Sequence, residues 1–371
     1  MPNTMKTNPS NNLLAGHIHI DRITVKGPLE HKAIGDLFYK AVDEYSVVPV
    51  GASAFKPRSK RNLADVYTRS KEIQNDGSAC MLEIDCCPPK LLQKHNFFGH
   101  ADMLDYTYAA FDQQTGKHGL IVTPDERDQW RTGQVGLTET HLTGNFGCPS
   151  SAKLPIIDAI DKNNRVGKHR DSESCISLGH TEKRRSVYHG ATVYDKAVVL
   201  AGEWKGLGTY QAKIMEMADG SIRVEIKLFS QGLKQRGLGY VMCWAEVDVD
   251  ALFFEILGKY NIRNAIQPLL TEDEQAVLSR AERRAYLLWL NGESLSDHFS
   301  RTTVWKYNGS ILEKTGIDMN GERRPDKLPL VDLAEILTPG NIVPVPAWAF
   351  GTSYYWPPGA AFANEKGRLD R

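Results

Sequence analysis

Glu139 and His141, in LTETHLTGNF, are separated by one residue, so on an extended strand a carboxylate and an imidazole leave the same face and can share one cation. Such mixed ligation suits Mg²⁺ or Mn²⁺ held loosely, with water and a phosphate oxygen completing the shell, rather than a closed thiolate zinc site. Tyr194 and Lys196 in TVYDKAVVL repeat the spacing. A phenol with a pKa near ~10 is a poor nucleophile at neutral pH, and a neighbouring ammonium favours the phenolate or steadies a phosphate under attack. Arg223 and Glu225 in SIRVEIKL add a phosphate clamp and a third metal ligand. Together these are the parts of metal-assisted phosphodiester chemistry. Taken singly, each pair has a plainer reading: a coincidence of spacing, a core tyrosine beside a surface lysine, or a salt bridge on a solvated sheet face, the last also available to Glu83 and Asp85.

His17 and His19 in AGHIHIDRITV form a histidine, hydrophobe, histidine triplet that looks more like a metal motif than any of these. It follows a polar tail, precedes or begins the first strand, and lies far from Tyr194 along the chain. It therefore reads as a surface-facing pair at a sheet edge with incidental metal affinity.

The elements that must position these residues can be read from periodicity. HIHIDRITV reads as a first strand. ACMLEIDC and SIRVEIKL alternate with period two, apolar Leu82, Ile84, Ile222, Val224, Ile226 and Leu228 opposing charged Glu83, Asp85, Arg223, Glu225 and Lys227. ATVYDKAVVL reads as a strand throughout, with Tyr194 and Lys196 on one side. Helices are expected over GPLEHKAIGDLFYKAVDEY, HADMLDYTYAAFDQQ and CPSSAKLPIIDAIDKNN, the last capped by Ser150 or Ser151. Residues 162–185, with Lys162, Arg165, Lys168, His169, Arg170, Lys183, Arg184 and Arg185, read as a basic loop, either solvated or touching nucleic acid. Beyond about residue 250 the pattern turns helical, with three short helices around Gly292. The fold class is α+β: an antiparallel sheet with helices packed on it, followed by a helical region that is either a helix-turn-helix or a core-closing unit. The divisions expected are a disordered tail at 1–15, a main domain at 16–250, the helical region at 251–320 and an irregular Pro- and aromatic-rich tail at 321–371.

Composition adds bounds. Lys plus Arg equals Asp plus Glu at 45 each, so any nucleic-acid surface arises from local clustering. The six cysteines lack paired zinc spacing and read as buried reduced thiols. No apolar run approaches the roughly 18 residues of a membrane helix, no secretory signal opens the chain, and no phosphate-binding P-loop is present, so a soluble cytoplasmic protein is expected.

Four stretches resemble the gene II/X replication initiator family of filamentous bacteriophages. EIDCCPPKLLQKHNFFGHADML resembles its Glu-containing strand, proline-lysine helix start and His-Asn-x-x-Gly segment, here His95, Asn96 and Gly99. LTETHLTGNF resembles a strand that in many relatives reads Arg-x-Asp where this chain has Glu139 and His141. TVYDKAVVL is similar to the nucleophile strand, placing the reactive tyrosine at Tyr194 with Tyr188 of SVYHG as a second candidate. IRVEIKLFSQGLKQRGL and YLLWLNGESLSDHFSRTTVWKYNGSILEKTGIDM resemble the following Arg-x-Glu strand and the carboxy-terminal helices.

The resemblance implies a palm like that of HUH endonucleases and a rolling-circle initiator in the host bacterial cytoplasm. Such an enzyme nicks one strand of phage origin DNA, keeps the 5′ end on tyrosine and later rejoins the displaced strand. It implies Tyr194 as nucleophile, Lys196 and Arg223 as charge-offsetting groups, and Mg²⁺ or Mn²⁺ on Glu139, His141 and Glu225. Its partners would be double- and single-stranded origin DNA, a host helicase and a host polymerase; in a helix-turn-helix Arg301, Lys306 and Tyr307 would face the duplex, whereas Trp289, Leu290 and Trp305 also read as packing residues of helices that merely close the core. A non-catalytic origin-binding protein of the same fold is the alternative. A tyrosine recombinase is disfavoured because it needs a helical tyrosine amid Arg and His.

Overall fold

The computed structural model describes residues 16–41, 47–52, 66–163, 167–181, 184–204, 208–260, 262, 270–291, 293–319 and 333–363. The chain opens with β1 (His19–Lys32), a small hairpin of β2 (Leu37–Ala41) and β3 (Val47–Ala52), then β4 (Tyr67–Ile73) and β5 (Ser78–Cys86). Helices α1 (Pro88–Gln93), α2 (Met103–His118) and α3 (Pro124–Arg131) lead to β6 (Gly136–Gly147). After α4 (Lys153–Asn163) come β7 (Lys168–Ser172), β8 (Cys175–Leu178), β9 (His180–Thr181), β10 (Arg184–Arg185) and β11 (His189–Tyr194). Then follow α5 (Lys196–Glu203), α6 (Thr209–Asp219), β12 (Ser221–Phe229), α7 (Ser230–Gln235) and α8 (Val249–Gly258).

Eight of these strands form one antiparallel sheet in the order β4-β5-β1-β6-β12-β11-β8-β7. Its apolar face carries Ile18, Ile20, Ile23, Leu82, Ile84, Leu142, Phe146, Ile222, Val224, Ile226 and Val193, all buried. They share one core with residues of α2, α3, α4 and α8. The opposite face carries the polar residues that period two assigns to it. A smaller apolar group of Phe97, Phe98, Leu200, Trp204, Ile214, Ala218 and Ala349 stands by this polar face, where the Phe97 carbonyl accepts from Asn145 Nδ2 at 2.5 Å.

Three expectations are corrected. The helix expected from Gly27 to Tyr45 is the second half of β1 followed by β2 and β3; residues 42–46 lie outside the described ones. Burial continues to alternate through Gly27, Leu29 and His31. Pro28 is tolerated because pairing with β6 ends at Lys26, and the register with β5 shifts between Pro28 and His31. Gly27 itself is required by packing, since a Cβ there would meet Phe111 Cζ at 2.7 Å. Secondly, the basic stretch after residue 162 is mostly strand: β7 and β8 extend the sheet edge and β9 pairs with β10, while Arg165 and Lys183 lie outside the described residues. Arg170 and Lys168 pair there with Asp158 and Asp161 of α4. Thirdly, α4 is preceded by a 3-10 turn, Ser150–Ala152, which begins after Pro149; the Ser150 hydroxyl instead bonds Asp219 Oδ2 at 2.6 Å. All six cysteines are free, but only Cys86, Cys87 and Cys148 are buried and Cys243 is exposed.

Helices α9 (Glu272–Ala276), α10 (Arg280–Leu290), α11 (Leu295–His298) and α12 (Arg301–Thr315) surround a separate apolar group that includes Leu278, Tyr286, Ile311 and Ile317. Arg301 and Lys306 are exposed, as expected. Trp305 is 80% exposed rather than packed, and Tyr307 turns inward against Phe299 at 5.4 Å between ring centroids. Gly292 lies outside the described residues, among which no helix is long and apolar enough to cross a membrane.

Residues 333–363 return to the sheet. Ile342 bridges Phe146, Val343 N donates to the Asn145 carbonyl, and the fully buried Asp105 of α2 accepts from Trp356 Nε1 at 2.7 Å and Ala361 N at 2.8 Å. Asp105→Ala leaves both donors unsatisfied. The expected outcome is a loss of about 2–4 kcal/mol in urea unfolding, together with faster proteolysis within residues 343–363; an unchanged proteolytic pattern would show that this carboxylate does not anchor the segment.

Candidate active site

The polar face gathers side chains from five elements. β12 runs between β6 and β11, so its Arg223 and Glu225 stand next to Asn145 and Thr143 on one side and Tyr194 and Thr192 on the other. Arg223 is fully buried. Its Nη1 donates to the Asn96 carbonyl at 2.7 Å, its Nε to Glu225 Oε1 at 3.2 Å, and its Nη2 lies 3.1 Å from Asp21 Oδ2. The Tyr194 hydroxyl donates to the same Glu225 Oε1 at 2.5 Å. Arg223 and Glu225 are therefore not a salt bridge on a solvated face but the middle of a buried network.

Lys196 also reaches this centre, by a different route from the one expected. The strand ends at Tyr194, and Asp195 caps α5 by accepting from Ala197 N at 2.9 Å. Lys196 opens the helix, almost completely buried, with Nζ 5.9 Å from the Tyr194 ring centroid. A short polar residue between strand and hydrophobic run favours an N-cap over continued strand. Buried Lys153 fixes the cap, donating to Asp195 Oδ1 and to the Ala218 carbonyl, each at 2.9 Å.

The HIHI stretch is a second correction. β1 is an interior strand flanked by β5 and β6, and His19 and Asp21 are buried on its polar face, Asp21 also accepting from Cys87 Sγ at 3.3 Å. Only His17 faces solvent, 3.2 Å from Asp250. Asp21 was missed as a site residue. The available signal was an acid among Ile18, Ile20 and Ile23, an expensive placement unless a buried cation awaits it. His95, Asn96 and Gly99 are likewise brought in. A Cβ at Gly99 would lie 2.7 Å from Tyr106 Oη and 3.3 Å from His19 Cδ2.

Glu139 and His141 share the expected face. His141 Nε2 bonds Glu139 Oε1 at 2.9 Å, and Nδ1 lies 3.8 Å from Glu225 Oε2. Two carboxylates and an imidazole suit Mg²⁺ or Mn²⁺ chemically. They form a chain in which the imidazole sits between the acids, and among the described residues no group of three or more His, Cys, Asp or Glu side chains is arranged to hold a metal ion. Glu83 and Asp85 pair with Lys71 and Arg22. Tyr188 stands outside the network, 46% exposed.

Charge and burial set the protonation states. Burial pushes the Tyr194 phenol well above its ordinary value, against the pull of Arg223. Burial and Asp21 oppose ionisation of Glu225, yet Arg223 and His141 hold its carboxyl below the usual value. Burial also opposes ionisation of Asp21, and Arg223 overcomes it. Burial, then Arg223, lowers Lys196 to about 8. The Tyr194 and Glu225 pair thus rests as phenol and carboxylate.

Residues 39–247, more than half of the chain, match the family described as the N-terminal region of replication-associated protein G2P. The chain belongs to this family. Replication-associated protein G2P of Enterobacteria phage I2-2 is 23% identical over 272 residues, covering 69% of this chain and 74% of the relative. Tyr194, Lys196, Arg223, Glu225, Glu139 and His141 all lie within the G2P match, whereas His19, Asp21 and the returning segment 333–363 lie outside it.

Burial lowers His19 from 6.5 to about 3 and His95 from 6.5 to about 4. Each ring is neutral when folded and gains a proton below about 6.5 when unfolded, so its contribution is complete above 6.5 and is lost as the pH falls through the folded value. Unfolding free energy should fall below about pH 6.5 by roughly 1.4 kcal/mol per pH unit for each ring. His19→Gln should remove one proton from that slope; an unchanged slope would contradict the assignment.

Proposed function

We propose that this G2P-family protein is a rolling-circle replication initiator that nicks one strand of phage origin DNA through Tyr194, and later rejoins the displaced strand. The observation that carries the reading is the Tyr194 hydroxyl held 2.5 Å from a carboxylate of a buried Arg223 network. In the nicking step Tyr194 Oη attacks phosphorus and its proton passes to Glu225. The bond from phosphorus to the 3′ oxygen breaks and that oxygen takes a proton from solvent, leaving a 5′-phosphotyrosine and a 3′-OH that a host polymerase extends. Rejoining reverses the step, with the 3′-OH attacking the phosphotyrosine and the phenol regaining its proton. Lys196 and Arg223 offset the charge that develops on the phosphate.

Glu139, His141 and the Oε2 side of Glu225 would hold Mg²⁺ or Mn²⁺, which when bound would polarise the scissile phosphate. Binding requires His141 to release its carboxylate contacts. Oε1 of Glu225, taken by Tyr194 and Arg223, is left for proton transfer. In this reading residues 16–250 form an HUH-like nicking domain, and residues 251–320 contact duplex DNA through the exposed Arg301 and Lys306, in a helix-turn-helix-like manner. The protein works in the host bacterial cytoplasm beside a host helicase.

The test is cleavage of a supercoiled plasmid bearing the phage origin, with Mg²⁺ or Mn²⁺ and with EDTA. Wild type should give nicked circles carrying protein on the 5′ end, EDTA should stop the reaction, and Tyr194→Phe should form no covalent product. Glu225→Gln should slow cleavage roughly 10²- to 10⁴-fold. Nicking by Tyr194→Phe at the wild-type rate would remove Tyr194 from the mechanism. Origin binding without cleavage under any divalent ion would select the non-catalytic alternative.

A further inference from the structure

We propose that the cavity beside the Tyr194 network is a pocket for one nucleobase, guanine, of the single strand being cut; the proposal rests on the nicking reading above. The cavity has a volume of about 260 Å³. That falls below the roughly 300 Å³ at which pockets for drug-sized ligands begin, and suits one ring system. Its apolar lining includes Phe98, Phe350 and Tyr355, whose rings contact one another edge-on or tilted with centroids 5.0 to 6.3 Å apart. Aromatic walls of this kind hold a base by stacking.

Three buried side chains that line it carry an atom without a hydrogen bond: His19 Nε2, Asn145 Oδ1 and His100 Nε2. Each is more than nine-tenths buried, so the missing bonds are costly unless a ligand supplies them. The neighbouring bonds fix what each atom offers. Asn145 Nδ2 donates to the Phe97 carbonyl, so Oδ1 is an acceptor facing elsewhere. The Asn96 main chain hydrogen-bonds the His19 ring. With its N–H on that carbonyl, Nε2 presents a lone pair. His100 Nδ1 accepts from Asp102 N at 3.1 Å, so Nε2 carries the hydrogen, with Asp105 Oδ2 3.5 Å away.

The pocket lining therefore brings two acceptors, while the His100 N–H lies towards the Asp105 carboxylate. Guanine presents two donor groups side by side on one edge, N1–H and the 2-amino group. Thymine offers a single donor, and adenine and cytosine each offer one amino group beside acceptors. Position supports the strand as the source. Asn145 pairs across the sheet with Arg223, and His19 lies two residues from Asp21, so a base seated here belongs to a nucleotide near the phosphate that Tyr194 attacks.

The experiment is fluorescence anisotropy with full-length Tyr194→Phe protein, which binds without cutting. The probes are labelled oligothymidylates that carry a single central dG, inosine, dA or dC. The dG strand should bind roughly tenfold more tightly than all-dT. Inosine, lacking the 2-amino group, should lose much of that gain with the protein untouched. Asn145→Leu should abolish the preference while leaving all-dT binding in place. Equal affinity for all strands, a preference for dA or dC, or a dG preference that survives Asn145→Leu would overturn the proposal. Guanosine monophosphate should displace the dG strand only at a far higher concentration than competing dG strand. Displacement at equal concentration would make the pocket a free-nucleotide site and overturn the strand assignment. Because cleavage is not read, a dG preference without origin nicking elsewhere would sink only the nicking reading, and nicking without base preference would sink only the pocket.

Discussion

A guanidinium with no exposure to solvent must be surrounded by acceptors, and Arg223 imposes that demand on three separated parts of the chain. Asp21 comes from β1, Glu225 from the same strand as the arginine, and the Asn96 carbonyl from the segment between α1 and α2. Removing any of them leaves part of a charge uncompensated in a low-dielectric interior, where breaking a buried pair typically costs about 3–5 kcal/mol. The network thereby ties β1 and the 95–99 segment to β12.

This concentration of charge is possible because the sheet is covered unequally. One face is closed by α2, α3, α4 and α8 over aliphatic and aromatic side chains. The other is roofed by α5, α6, Phe97, Phe98 and the returning segment, which bury the polar centre without filling the adjoining cavity. The roof is held by single polar anchors: Lys153 through Asp195 at the start of α5, and Asp105 through Trp356 and Ala361.

The same enclosure determines how Tyr194 can act. The neighbouring ammonium suggested either a phenol shifted towards phenolate or a cation for the phosphate; burial outweighs the nearby cations and raises the phenol, which leaves the second role. A nucleophile in that state needs a proton acceptor in contact at the moment of attack. Arg223 keeps Glu225 ionised against burial, so one guanidinium both maintains that acceptor and stands beside the Tyr194 ring, 6.0 Å from its centroid.

The sequence by itself determined the two-faced strands, because period-two alternation in β5, β6 and β12 is a local property of side-chain direction. It also singled out Glu139, His141, Tyr194, Lys196, Arg223 and Glu225, through their conjunction on polar strand faces and the family resemblance rather than through any one pair. It misjudged β1 beyond Gly27, reading a helix where the strand keeps its alternation, and it ended the Tyr194 strand too late because Asp195 can pair or cap. Only the tertiary structure decided that β1 is interior, turning His19 from half of an apparent edge motif, and the unremarked Asp21, into buried partners of the centre. Strand order is set by pairing between residues as far apart in the chain as His19 and Thr143, and no local periodicity encodes which strand will lie beside a buried arginine.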